Sequence, residues 1–206
     1  MMYELKQVEC SLNKEHPIKL HPEVIEILFE NSRHIKNVFS KLKGLHGITH
    51  MGMVCIDPSR ELTAFSTTPS IEYNLFNQDL WLEDHCYQPG IETKNALIWW
   101  DYANEKIERV KLRNNCFTIG MTIYRPIGDF VFLYSFATNE RVSGLREYYS
   151  ENLFGLIDIG DFFYKSLRDL YSRYSLKHEP PELGEFNSKA SGFNIRPFLR
   201  LVRGER

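Results

Sequence analysis

Apolar side chains recur at three- and four-residue intervals from Val24 through Ile27, Leu28, Ile35, Val38 and Phe39 to Leu42. That is the period of a helix with one buried face. Pro22 suits its first turn and Gly44 its end. The rhythm then changes. Residues 48–56 and 61–67 are short strand-like runs, and Asp57-Pro58-Ser59-Arg60 between them is turn chemistry. The pair therefore reads as a hairpin. From Pro69 onward, Ile71, Leu75, Phe76, Leu80 and Trp81 are spaced for a short helix or two, and Cys86-Tyr87-Gln88-Pro89-Gly90 is a loop.

The pattern from Ala96 to Trp100 predicts a third strand. Residues 103–112 fit a short helix with Ile107 and Val110 inward, or alternatively a strand. Residues 117–124 and 130–136 predict strands four and five, linked by Arg125-Pro126-Ile127-Gly128-Asp129. Leu145, Tyr148 and Tyr149, then Leu153, Leu156, Ile157, Phe163, Leu167, Leu170 and Tyr171, predict a closing helix with a break. Pro180-Pro181 stops it, because proline removes a helical N–H and biases the residue before it. Hairpin-linked strands interrupted by helices imply an α+β fold, an antiparallel sheet covered by helices rather than a βαβ repeat.

Composition narrows this picture. At 206 residues the default is one domain with enough core to stand without a disulfide or metal. The expected division is a domain over 1–180 and a tail or linker over 181–206, where Arg196, Phe198, Leu199, Arg200, Leu201, Val202 and Arg203 make a basic, apolar stretch. The net charge of −2 provides no global positive field for nucleic acid. Cys10, Cys55, Cys86 and Cys116 are scattered without a CxxC pair, which fits free thiols in a reducing, cytoplasmic setting. Neither a signal peptide nor an apolar run of the ~20 residues a membrane span needs is visible.

Motifs for catalysis are missing: there is no P-loop, GxGxxG, GxSxG or HExxH string. His85-Cys86 and the His50/Cys55 pair lack a third, activating group. His46 and His50 are four apart, but Gly47 between them argues against a shared ligand face, so no metal and no cofactor is expected. Asp84 follows Trp81 near a loop; it reads either as a buried acceptor for a ligand N–H or as an exposed helix-end charge. In Trp99-Trp100, strand alternation sends one indole to each face. A buried indole N–H needs an acceptor, from a ligand or from the core.

The order of elements and the segment from Pro69 to Trp100 resemble the ligand-binding domain of LuxR-type quorum-sensing regulators. That family shows a Trp, a Tyr four residues later, an Asp nine beyond the Tyr and a Trp fifteen beyond the Asp. Here Leu75-Phe76 occupies the Tyr step, Asp84 sits nine after Leu75, and Trp99 sits fifteen after Asp84. The first Trp position is Ile71, and the family's Asp-Pro is Asp84-His85. The resemblance covers most of residues 22–175, and the family's later glycine corresponds to Gly120.

What the resemblance implies is an α-β-α sandwich around a five-stranded antiparallel sheet, related in shape to PAS and GAF domains. It implies a non-enzymatic pocket between the sheet and one helical layer, with Asp84 accepting a ligand amide N–H and Trp99, Tyr73, Phe76, Ile71 and Leu75 as its walls. Ile71 and Leu75 remove two polar groups, so a small, more apolar signal molecule than an acyl lactone is implied. A homodimer, or a heterodimer with a related regulator, is implied as well. After Pro181 only 25 residues remain, too few for the family's helix-turn-helix, so direct DNA binding by this chain is not expected. The alternative is a protein-interaction module that keeps the fold and fills the pocket.

Overall fold

The computed structural model describes residues 17–88, 97–175 and 177–183. The expectations for Cys10, for Pro89-Gly90, for the start of the third strand at Ala96 and for the basic tail from residue 184 lie outside these residues.

Elements run in the order β1 (Lys19–Leu20), α1 (Val24–Glu30), α2 (Ser32–Ser40), β2 (His50–Ile56), β3 (Glu61–Ser66), α3 (Ser70–Asn77), β4 (Leu97–Trp99), α4 (Glu105–Lys111), β5 (Ile119–Ile127), β6 (Phe130–Thr138), α5 (Leu145–Glu151) and α6 (Leu153–Ser172). The sheet has six strands in the order β1-β3-β2-β6-β5-β4. Five are antiparallel neighbours, as the hairpin signals imply; the added β1 pairs parallel with β3 through only two residues.

Local chemistry explains the joints. In the β2–β3 turn the Asp57 carboxylate accepts from the Ser59 hydroxyl at 2.8 Å and the Glu61 N–H at 2.9 Å. The β5 and β6 strands are longer than the sequence pattern implies, and their turn shrinks to Gly128-Asp129 with Gly128 at φ 58°. The helix expected over 24–42 is two helices. Asn31 turns its amide back to Ile27 O at 3.0 Å and across to the Tyr174 hydroxyl at 2.9 Å, which ties the break to the end of α6. The break expected in the closing helix falls at Asn152.

Strand alternation sorts the core into two layers. Met51, Met53, Cys55, Met121, Ile123, Phe132, Tyr134 and Phe136 face α2, α5 and α6. Val54, Ile56, Leu62, Ala64, Leu133, Ala137, Ile98 and Trp100 face α3, α4 and the loop carrying Trp81, Cys86 and Tyr87. Helices therefore cover both faces of the sheet, and the second layer is the one with unusual chemistry.

Candidate functional site

The second layer contains charged groups where a simple core would have none. In α4, the Asn104 carboxamide accepts from the N–H groups of Lys106 at 2.9 Å and Ile107 at 3.4 Å, a side-chain cap that fixes where the helix starts. Ile107 and Lys111 then lie one turn apart on the buried face. Lys111 is 3% exposed, and its ammonium donates to Asp84 Oδ2 at 2.9 Å and to the Tyr102 hydroxyl at 2.6 Å. It also sits 4.3 Å from the centre of the Trp100 ring, a cation–π distance.

Asp84 is fully buried and caps the short 3-10 turn His85–Tyr87, with Oδ1 accepting the Cys86 N–H at 2.9 Å. Tyr102 donates to the same oxygen at 3.1 Å. Burial alone would raise the Asp84 carboxyl; the Lys111 ammonium and the Cys86 N–H outweigh it and hold the group below its ordinary range. For Lys111, burial pulls downward, and the Asp84 carboxylate more than restores it, so the ammonium is kept. Cys86 Sγ lies 3.8 Å from that ammonium, but burial and the Asp84 charge push its thiol up to about 11.

Asp84, His85 and Cys86 offer ligand atoms within 4.8 Å of one another, the separation a metal ion needs. The arrangement does not suit one. The Lys111 ammonium already supplies the positive charge between Asp84 and Cys86, and His85 Nε2 donates to Trp99 O at 3.1 Å. A second cation beside Lys111 would meet direct repulsion.

From this pair a chain of hydrogen bonds crosses the sheet. Cys86 Sγ donates to Thr122 Oγ1 at 3.6 Å, Trp100 Nε1 donates to the same oxygen at 2.8 Å, and Thr122 meets the Ser135 hydroxyl at 3.0 Å. Trp100 lies flat over Gly120: a Cβ there would fall 2.0 Å from its ring. Further along, beside β2, His50 and Glu72 are buried as well.

The residues singled out in the sequence are distributed unevenly. Asp84, Ile71, Leu75 and Phe76 are all buried in this layer. Trp99 is not among them. It points to the opposite layer, half-buried, with the Arg146 guanidinium 5.1 Å from its ring, because alternation gives Trp100 the Asp84 side. Tyr73 is 36% exposed and packs edge-on against Phe29 on the outer surface of α3. Lys111, Tyr102 and Trp100, the groups that actually surround Asp84, escape the spacing argument. A lysine one turn after Ile107 on an apolar helix face is the one signal that could have marked Lys111.

Space in this layer is limited. A cleft of about 120 Å³ opens between Pro17, Ile56, Cys86, Tyr87, Tyr124 and Leu133. Of its lining residues, Tyr87 packs its ring against Phe76 and Trp81, with ring centres 6.5 and 6.3 Å away. A larger cleft, about 270 Å³, lies at the end of α6 between His21, Glu61, Tyr171 and Lys177, and shares no wall with the Asp84 cluster.

Comparison with solved structures places the fold. The chain superposes on SdiA in complex with octanoyl-rac-glycerol with a TM-score of 0.50 and 11% identity, over 77% of this chain and 66% of that one. A second structure, of Escherichia coli SdiA, gives a TM-score of 0.49 at 12% identity, over 80% and 74% of the two chains. SdiA is a LuxR-type quorum-sensing receptor, and the shared architecture is that of its autoinducer-binding domain. The chain thus spans just under two thirds of the length of the octanoyl-rac-glycerol-bound SdiA chain. No protein-family model matches the chain, and no curated protein sequence matches it.

Proposed function

We propose that this chain is a non-enzymatic small-molecule-sensing domain that takes an apolar signal between the sheet and the layer formed by α3, α4 and the Trp81–Tyr87 loop. The observation that carries the reading is the cleft of about 120 Å³ between Ile56, Tyr87 and Leu133, which ends on Cys86 at the edge of a buried polar network. An interior built only for packing has no need of that network, since buried polar groups cost free energy unless fully paired. The volume is below the ~300 Å³ of ordinary small-molecule sites. It suits a short acyl chain, with further room gained by side-chain movement on binding.

The chemistry of the layer selects among ligands. In the family this chain resembles, the aspartate accepts an N–H from the ligand; here Lys111 and Tyr102 already donate to Asp84. A signal with an apolar chain and a small uncharged head is therefore favoured over an acyl amide. Octanoyl-rac-glycerol, the molecule bound in the SdiA structure, has that character. Cys86, Tyr87 and Leu133 are the proposed chain contacts, and Ile71, Leu75 and Phe76 belong to the same apolar layer. Binding would stabilise the folded domain by linkage and so bias its pairing with a second copy or a related regulator.

A second reading has its own observation. Lys111, Trp100 and Tyr102 fill the middle of the layer, as in a module that has traded its pocket for a solid core and acts through protein contacts.

Thermal melting of the purified chain with octanoyl-rac-glycerol separates the two. At a hundredfold excess over Kd the expected gain is about 2.7 kcal/mol, a rise in Tm on the order of 5–10 °C. A co-purifying acyl compound in native mass spectra would agree. An unchanged Tm with no bound compound sinks the sensing reading and leaves the protein-contact one.

A further inference from the structure

The outer surface of α1 and α2 sorts its charges by sign. Glu23 precedes α1, and Glu26 and Glu30 lie along it; Arg33 and Lys36 lie along α2, with Lys41 at its end and Lys43 just beyond. All seven side chains are exposed, because the opposite faces bury Val24, Ile27 and Leu28 on α1 and Ile35, Val38 and Phe39 on α2. No acid follows Glu30 until Asp57. Among the described residues, none of the seven makes an ion pair.

This sorting works against the helices themselves. Glu26 and Glu30 are like charges four residues apart, and Arg33 and Lys36 are like charges three apart. Glu30 closes α1 at its negative end, and Arg33 sits in the first turn of α2 at its positive end, so each opposes the helix dipole. Beside Glu30 stands Phe29, 47% exposed, with its ring 5.7 Å from that of the part-exposed Tyr73. Exposed aromatic groups beside a rim of charge have the composition of an interface.

The order of the charges selects the occupant. A nucleic acid or an anionic membrane would be drawn to the α2 block and repelled by the adjoining α1 block. A second copy turned about a two-fold axis satisfies both, since every contact of such an interface occurs twice and acid meets base at each end. We propose that the α1–α2 surface is a two-fold contact between copies of this chain, with the acids of each α1 against the bases of the other α2 around Phe29. The contact is weak and sensitive to salt, because its charges stay close to water. None of the residues lining the cleft at Cys86 belongs to α1 or α2, so this surface and the sensing reading stand or fall separately.

Sedimentation velocity of the whole chain, over a concentration series at about 20 mM and about 500 mM salt, tests this. The native chain should pair at low salt and dissociate at high salt. Two variants reverse one block each: Glu26→Lys with Glu30→Lys, and Lys36→Glu with Lys41→Glu. Each by itself should weaken self-association by about tenfold or more. Mixed one to one, they should form a heterodimer tighter than the native pair, because one surface is then wholly positive and the other wholly negative. That rescue also shows that both variants fold. A native chain that stays monomeric at low salt overturns the proposal. So does self-association that neither variant weakens, or a mixture of folded variants that stays monomeric. A native monomer that is retained on heparin through Lys36 and Lys41 overturns it in favour of a polyanion.

Discussion

Lys111 occupies a position that helix periodicity would give to leucine, and only Asp84 makes that tolerable. Removing the ammonium strands a buried carboxylate, which costs far more than the pair itself contributes. Lys111→Met is therefore expected to destabilise the chain by roughly 3–5 kcal/mol. Adding Asp84→Asn should recover a large part of it, because the stranded charge is then gone. A double-mutant cycle by urea unfolding measures the coupling, and additive losses would show that the pair is not a unit. The sequence reveals half of this pair. Asp84 stands out by its spacing and by the resemblance that spacing supports, while Lys111 is 27 residues away and reaches it only through tertiary packing. Likewise the Trp99-Trp100 pair announces one indole per face, but which face receives which depends on how β4 pairs with β5, and Trp99 opposes Met121. That register is invisible to single-sequence reasoning.

Among the elements, those with strong periodicity are legible and those made by neighbours are not. The β2–β3 hairpin, β5, β6 and α6 follow from alternation, turn residues and a helical stripe. The two-residue β1 has no pattern of its own and exists because β3 offers a free edge. The split between α1 and α2 needs Tyr174, a residue 143 positions on, to hold Asn31. At Gly120, β5 can receive Trp100 only because it carries no side chain there. Gly120→Ala drives a methyl into the indole, 2.0 Å from the nearest ring carbon. The expected loss is about 1–3 kcal/mol or more, the usual range for overpacking. Trp100→Leu alone should also destabilise, but the double variant should lose less than the sum of the two, and urea midpoints decide it. Strict additivity would mean that the ring does not rest on Gly120.

For the molecule as a whole, the α3–α4 layer makes stability depend on pH. Burial raises the Glu72 carboxyl from 4.5 to about 7, while the Ser66 hydroxyl and the Lys111 charge oppose that shift and His50 stays uncharged above about 3. The folded state therefore holds a proton that the unfolded chain releases. Its contribution is complete below the unfolded value of 4.5 and is lost as pH rises through about 7. The full difference is on the order of 3 kcal/mol. His50, neutral in the fold but protonated in the unfolded chain below 6.5, contributes the opposite slope, so Glu72→Gln should shift the pH dependence across that window toward greater stability at higher pH, and an unchanged slope would mean that Glu72 is ionised throughout. The opposite layer contains Arg125 and Asp161, paired at 3.0 Å, with the Tyr134 hydroxyl donating to the same carboxylate at 2.9 Å. Two chemistries are thus kept apart by the thickness of one β-sheet. Side chains on its opposite faces do not touch, so a substitution that retunes one side leaves the other's fit undisturbed. The α6 side can go on dictating where strands lie while the α3–α4 side is rewritten, which makes this architecture a partition as much as a container.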